Sequence, residues 1–176
     1  MIQKIRFKSI ANAYKDFIFT YAYYFTGTRE DAEDVTQEVL LKIWQNMDTL
    51  RKGITKSWVS TVTRNLCIDW ARWRTARPDM TIAADAEDDD QFSAPPVHIS
   101  TAEQNELRST IEKAIARLPE QLRSVVILRE IEELKYEEIS EVLDIPLNSV
   151  KSYIHRGRRL LREQLTALYK DDYCRR

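Results

Sequence analysis

The sequence predicts an all-α fold, two small helical domains joined by a flexible acidic linker, and three observations predict it. Only three glycines occur in 176 residues. No run of Val, Ile or Thr alternates convincingly with polar residues, so the two-residue period of a strand is missing. Apolar residues at helical spacing recur on both sides of a segment, Pro78 to Leu107, that holds no Lys or Arg. With 43% hydrophobic residues the chain has enough apolar material for a core in each half.

The N-terminal run MIQKIRFKSIANAY has no apolar signal region, and the most apolar stretch, Phe17 to Phe25, is too short and too polar to span a bilayer. The expectation is a cytoplasmic protein without membrane insertion. Cys67 and Cys174 lie over a hundred residues apart with no His at ligand spacing, so neither a disulfide framework nor a metal site is indicated, and no cofactor is expected. Cys67 reads as a buried, inert small residue.

In the helix around Asp31 to Trp44, Ala32, Val35, Val39 and Ile43 trace a core stripe. The opposite face carries Asp34, Gln37, Glu38 and Leu41. A leucine within an acidic, polar rim suits a protein partner better than phosphate, although an ordinary solvated face has the same composition.

From Arg51 to Arg77 the sign reverses, with seven basic residues against the single acid Asp69. Trp58, Trp70 and Trp73 are interleaved among them. Basic residues attract a phosphate backbone and aromatic faces stack on unpaired bases, the combination expected where single-stranded nucleic acid is held. Val59, Val62, Leu66 and Trp73 trace a core stripe, so each tryptophan is either packing or platform.

Residues 78–100 read as the linker, because Asp79, Asp85, Glu87, Asp88, Asp89 and Asp90 repel one another and Pro95-Pro96 follows. The domains are therefore expected at 1–77 and 101–170. A net charge of -1, from 27 basic and 28 acidic residues, hides this sorting into blocks.

Within the second domain, YEEISEVLDIPLNSVKSYIHRGRRLLR at 136–162 places an acidic helix, a Pro turn and a basic helix in succession. Asp144-Ile145-Pro146 cannot continue a helix, and Asn148 or Ser149 is expected to cap the next one. Val150, Ile154, Leu160 and Leu161 should face a core. Lys151, Arg156, Arg158, Arg159 and Arg162 place five cations in twelve residues. This is the pattern of a DNA-reading helix-turn-helix, whose second helix would offer Ser149, Lys151, Ser152, Tyr153 and Arg156 to base edges and phosphates. A solvated basic helix is the plainer alternative.

The order of these blocks resembles the extracytoplasmic-function (ECF) sigma factors, the promoter-specificity subunits of bacterial RNA polymerase. DAEDVTQEVLLKIWQ at 31–45, WVSTVTRNLCIDWARWR at 58–74 and residues 118–165 carry the resemblance. It implies that Asp34, Gln37, Glu38, Leu41 and Trp44 dock on the clamp coiled coil of the polymerase β′ subunit, and that the β flap is a further polymerase contact. It assigns Arg64, Asn65, Asp69, Arg72, Arg74 and Arg77 to recognition and melting of the minus-ten element. It gives Ser149, Lys151, Ser152, Tyr153 and Arg156 to the minus-thirty-five element. An anti-sigma factor is implied as a further partner, and neither catalysis nor a small-molecule substrate is.

Three departures stand out against the family pattern. The basic pair usual after Asp69 is Arg72-Trp73 here, and the Gly-Thr usual before Val150 is Asn148-Ser149. Tyr153 replaces an arginine and cannot make a bidentate guanine contact, so base preference at that position should differ. Other classes fit less of the chain. A stand-alone operator-binding regulator leaves the acidic face and the basic aromatic helix without a role, and a decoy that titrates an anti-sigma factor has no need of the DNA-facing charges. For an enzyme, His98 and His155 have no nucleophile, metal cluster or phosphate loop beside them.

Overall fold

The computed structural model describes residues 2–48, 54–76 and 102–174. The expected linker at 78–100, together with Arg51, Lys52 and Arg77, lies outside the described residues. Every regular element among the described residues is a helix, in the order α1 (Ile2–Thr26), α2 (Arg29–Asn46), α3 (Lys56–Ala76), α4 (Ala102–Ala116), α5 (Glu120–Val126), a π-helical turn (Ile127–Ile131), α6 (Tyr136–Leu143) and α7 (Leu147–Cys174).

The first three helices pack together. Gly27 at φ +84° lets the chain reverse between α1 and α2, a backbone conformation that a side chain would strain. Thr28 then caps α2, its hydroxyl accepting from the Asp31 amide, and two acids in the first turn suit the helix dipole. On α2 the expected stripe of Ala32, Val35, Val39 and Ile43 is buried against Ile18, Tyr21, Ala22 and Phe25 of α1. Each Val or Ile enclosed this way contributes roughly 1.5–3 kcal/mol relative to exposure.

On α3 the buried line is Val59, Ser60, Thr63, Cys67 and Ile68, which corrects the expected one. Val62 and Leu66 are half-buried on its flank, and Trp73 is 47% exposed. Continuing the Val59–Thr63–Cys67 line by helical steps leads to Trp70 and Arg74 and leaves Trp73 aside. Cys67 is enclosed and burial pushes its thiol up, which keeps it protonated and inert.

In the second half, Glu138 of α6 accepts from the Lys135 amide at 2.7 Å and so caps the helix start. Asp144 ends α6 in the left-handed conformation at φ +52°, and Ser140 donates its hydroxyl to the Ile145 carbonyl at 2.6 Å. The turn thus closes on its own side chains. Helix α7 starts earlier than expected. The Pro146 carbonyl accepts from the Ser149 and Val150 amides, so Asn148 and Ser149 sit inside the first turn and do not cap it. Val150 and Ile154 are buried, Leu161 packs at the core edge, and Leu160 is half-buried.

The two halves meet along a seam. Arg123 of α5 donates to the Phe25 carbonyl at the end of α1 at 2.9 Å, to the Leu118 carbonyl at 3.0 Å and to the Ala116 carbonyl, while its guanidinium lies 5.2 Å from the Phe25 ring centroid. One cation therefore satisfies the C-terminal carbonyls of helices from both halves. Tyr23 donates to Glu112 at 3.1 Å, and Thr61 of α3 donates to the Val142 carbonyl of α6 at 3.4 Å. Tyr21 is fully enclosed here, its phenol held above the ordinary range by burial, with Ser124, Arg64 and Arg123 around it.

Candidate functional site

The acidic face of α2 is open. Asp34, Gln37, Glu38, Leu41 and Trp44 are all exposed, Leu41 at 48% and Trp44 at 37%, while the stripe behind them is buried. Their spacing places them along one side of the helix. Trp44 is steadied by an edge-on contact with the Phe7 ring, centroids 5.2 Å apart at 86°, so α1 extends this surface. Phe7 was not legible as part of the face, because the contact joins residues far apart in sequence.

The minus-ten candidates divide. Asn65, Asp69 and Arg72 are exposed and fall on one line of α3. Arg64 is half-buried, donating from Nη1 to Asn65 at 3.1 Å, with its Nε enclosed and unpartnered. Arg74 pairs with Asp31 at the start of α2, Nη1 to Oδ2 at 2.9 Å. Trp58 packs against the core, and Trp70 is half-buried with its indole nitrogen donating to Asp31 at 3.1 Å.

On α7, Lys151, Ser152 and Arg156 are exposed, whereas Ser149 is half-buried and Tyr153 packs against the core. Ser152 donates to the Asn148 carbonyl at 3.0 Å, which points its hydroxyl back along the helix. Arg158 turns to Glu130 of the π-helical turn, at 2.8 Å from Nη2, so this cation serves the fold as well as the field. Among the described residues no ion pair holds Lys151 or Arg156. Asn148 and His155 share the exposed face. Helical spacing from Ser152 would have found both.

Among the described residues no group of three or more His, Cys, Asp or Glu side chains is placed to hold a metal ion, and no helix is long and apolar enough to cross a membrane. What the arrangement offers is surface: an acidic apolar face, a basic aromatic helix end, and a basic helix following a tight turn.

The sequence and the fold have known relatives. Residues 10–77 match the family model for sigma-70 region 2 and residues 108–161 that for sigma-70 region 4. The ECF RNA polymerase sigma factor SigW of Bacillus subtilis is 37% identical over 172 residues, covering 92% of this chain and 90% of that protein. The ECF sigma factor SigE of Mycolicibacterium smegmatis is 32% identical over 157 residues, 89% of this chain and 60% of its own length. The fold is that of the sigma factor RpoE in its co-crystal structure with the anti-sigma factor NepR from Bartonella quintana, with a TM-score of 0.67, 22% identity, and coverage of 91% of this chain and 96% of that one. The chain belongs to the ECF sigma factors. Sigma factors are regulatory initiation factors and not enzymes.

Proposed function

We propose that the chain docks on bacterial core RNA polymerase through Asp34, Gln37, Glu38, Leu41 and Trp44, and directs it to promoters by reading one element with each half, in the cytoplasm. The observation that carries this is the exposed acidic and apolar face of α2, set on a helix whose other side is anchored in the core. The β′ clamp coiled coil is the surface it suits, with the half at 101–170 toward the β flap. The half at 1–77 then supplies Arg64, Asn65, Asp69, Arg72, Arg74 and Arg77 to the minus-ten element and its melting. Stacking of captured bases is worth roughly 1–3 kcal/mol each. Ser149, Lys151, Ser152, Tyr153 and Arg156 supply the minus-thirty-five contacts.

Neither half need bind DNA tightly alone, since docking makes the second contact intramolecular. The elements' nominal positions differ by about 25 base pairs, on the order of 80 Å of duplex. In the structure α3 and α6 touch, so the seam must open for both elements to be read at once. An anti-sigma factor is the expected inhibitor, and a chain of the same fold has been crystallised with one.

The test is retention by immobilised core polymerase. Replacing Leu41 and Glu38 together with Ala should lower retention at least about tenfold, as for interface anchors generally, and leave thermal stability within about 0.5 kcal/mol of wild type, as for surface changes. Unchanged retention would refute the docking face.

A further inference from the structure

Asp31 stands on the docking helix, yet its carboxylate serves the helix that faces DNA. Its Oδ1 accepts the indole N–H of Trp70 at 3.1 Å, and its Oδ2 accepts Nη1 of Arg74 at 2.9 Å. Thr28, the cap of α2, donates its hydroxyl to the same Oδ2. The Arg74 guanidinium lies 5.1 Å from the Trp70 ring centroid, so cation, ring and carboxylate form one closed unit. The ion pair is partly buried, its side chains 31% and 25% exposed, which shields it from solvent better than a surface pair.

We propose that Asp31 is a positioning residue for promoter opening: it fixes Trp70 and Arg74 in one arrangement and ties the basic end of α3 to the start of the docking helix. This rests on the reading under Proposed function. Arg and Trp have many rotamers in water, and ordering them only when DNA arrives would weaken the opened complex. Held by Asp31, both are ordered beforehand. Arg74 then presents its remaining N–H groups from a fixed place, and one face of Trp70 is already covered. The tie also joins the start of the docking helix directly to α3, through side chains rather than through the connecting chain.

The test compares wild type, Asp31→Ala and Asp31→Asn, each bound to core polymerase on a promoter the wild type uses. Permanganate reactivity of unpaired thymines reads opening, on fully paired DNA and on the same promoter with its minus-ten region mismatched. Asp31→Ala should lower the opened fraction on paired DNA about tenfold, the scale of one lost charge-assisted bond. Asp31→Asn, which keeps an acceptor for the indole, should lose less, and both should match wild type on mismatched DNA and in polymerase retention. Wild-type opening by Asp31→Ala on paired DNA would overturn the proposal. So would equal losses on both templates, which would mark Asp31 as an element of the α2 cap alone. Should the Asp31 variants fail to fold, Trp70→Phe removes the indole donor and leaves the cap intact, and the same loss confined to paired DNA is expected. Wild type that neither binds polymerase nor opens any promoter would instead sink the functional reading itself.

Discussion

Gly157 shows how much a single side chain can decide in this molecule. A Cβ built there would lie 2.6 Å from Cγ2 of Val126, which is buried and, being β-branched, stiff. Helix α7 therefore approaches α5 more closely than a Cβ at this position allows without a shift. Two effects oppose each other in Gly157→Ala: alanine gains roughly 1 kcal/mol of helix propensity, and overpacking costs roughly 1–3 kcal/mol. The contact is too close for propensity to win. The variant should unfold several degrees below wild type in a thermal melt, a shift of the size expected for 1 kcal/mol or more. A higher melting temperature would show that α5 and α7 have room to part. Tyr153 illustrates a different limit at this scale, because its position among DNA-facing candidates followed from spacing while its packing against the core depends on neighbours distant in sequence.

At the scale of elements, most of the fold was legible in the residues. The stripe of Ala32, Val35, Val39 and Ile43 is a clean helical period, and the structure buries all four. Asp144-Ile145-Pro146 announces its turn by chemistry, and a left-handed Asp144 delivers it. The start of α7 was less legible, since Pro146 offers a carbonyl cap that leaves no side-chain signature. The π-helical turn at Ile127–Ile131 has none either. It arises where the Glu132 amide reaches back to the Ile127 carbonyl and the Leu134 amide to that of Leu128, with Glu133 at φ +55°. That geometry comes from packing rather than from local preference. Trp73 was misplaced for a similar reason. The period through Val62 and Leu66 is real, but it marks the flank of the helix, and only the position of α1 and α2 selects the line through Thr63 and Cys67.

At the scale of the whole molecule, the seam between the halves was not legible, because its contacts join the two sides of the acidic segment. Arg123 ties its two sides together, and Glu132, within electrostatic reach of Lys56 on the other side, gives it an expected pH dependence. Burial pushes the Glu132 carboxyl up from 4.5 to about 7, with Lys56 of α3 pulling the other way. The folded form thus holds a proton that the unfolded chain releases near pH 4.5. The stabilisation is complete below that pH, declines as pH rises to about 7, and is flat above it. A shift of that size corresponds to at most about 3 kcal/mol. Glu132→Gln removes the titration, so its stability relative to wild type should rise between pH 4.5 and 7, read as the difference of two melting curves at each pH. Parallel curves would place the carboxyl in solvent. The seam in turn bears on the central claim, that this chain turns core polymerase into a promoter-specific enzyme. Run-off transcription with purified core polymerase on fragments of the source genome addresses that claim most directly. Discrete start sites that depend on the added chain are expected, and polymerase that binds the chain yet starts nowhere in particular would contradict it.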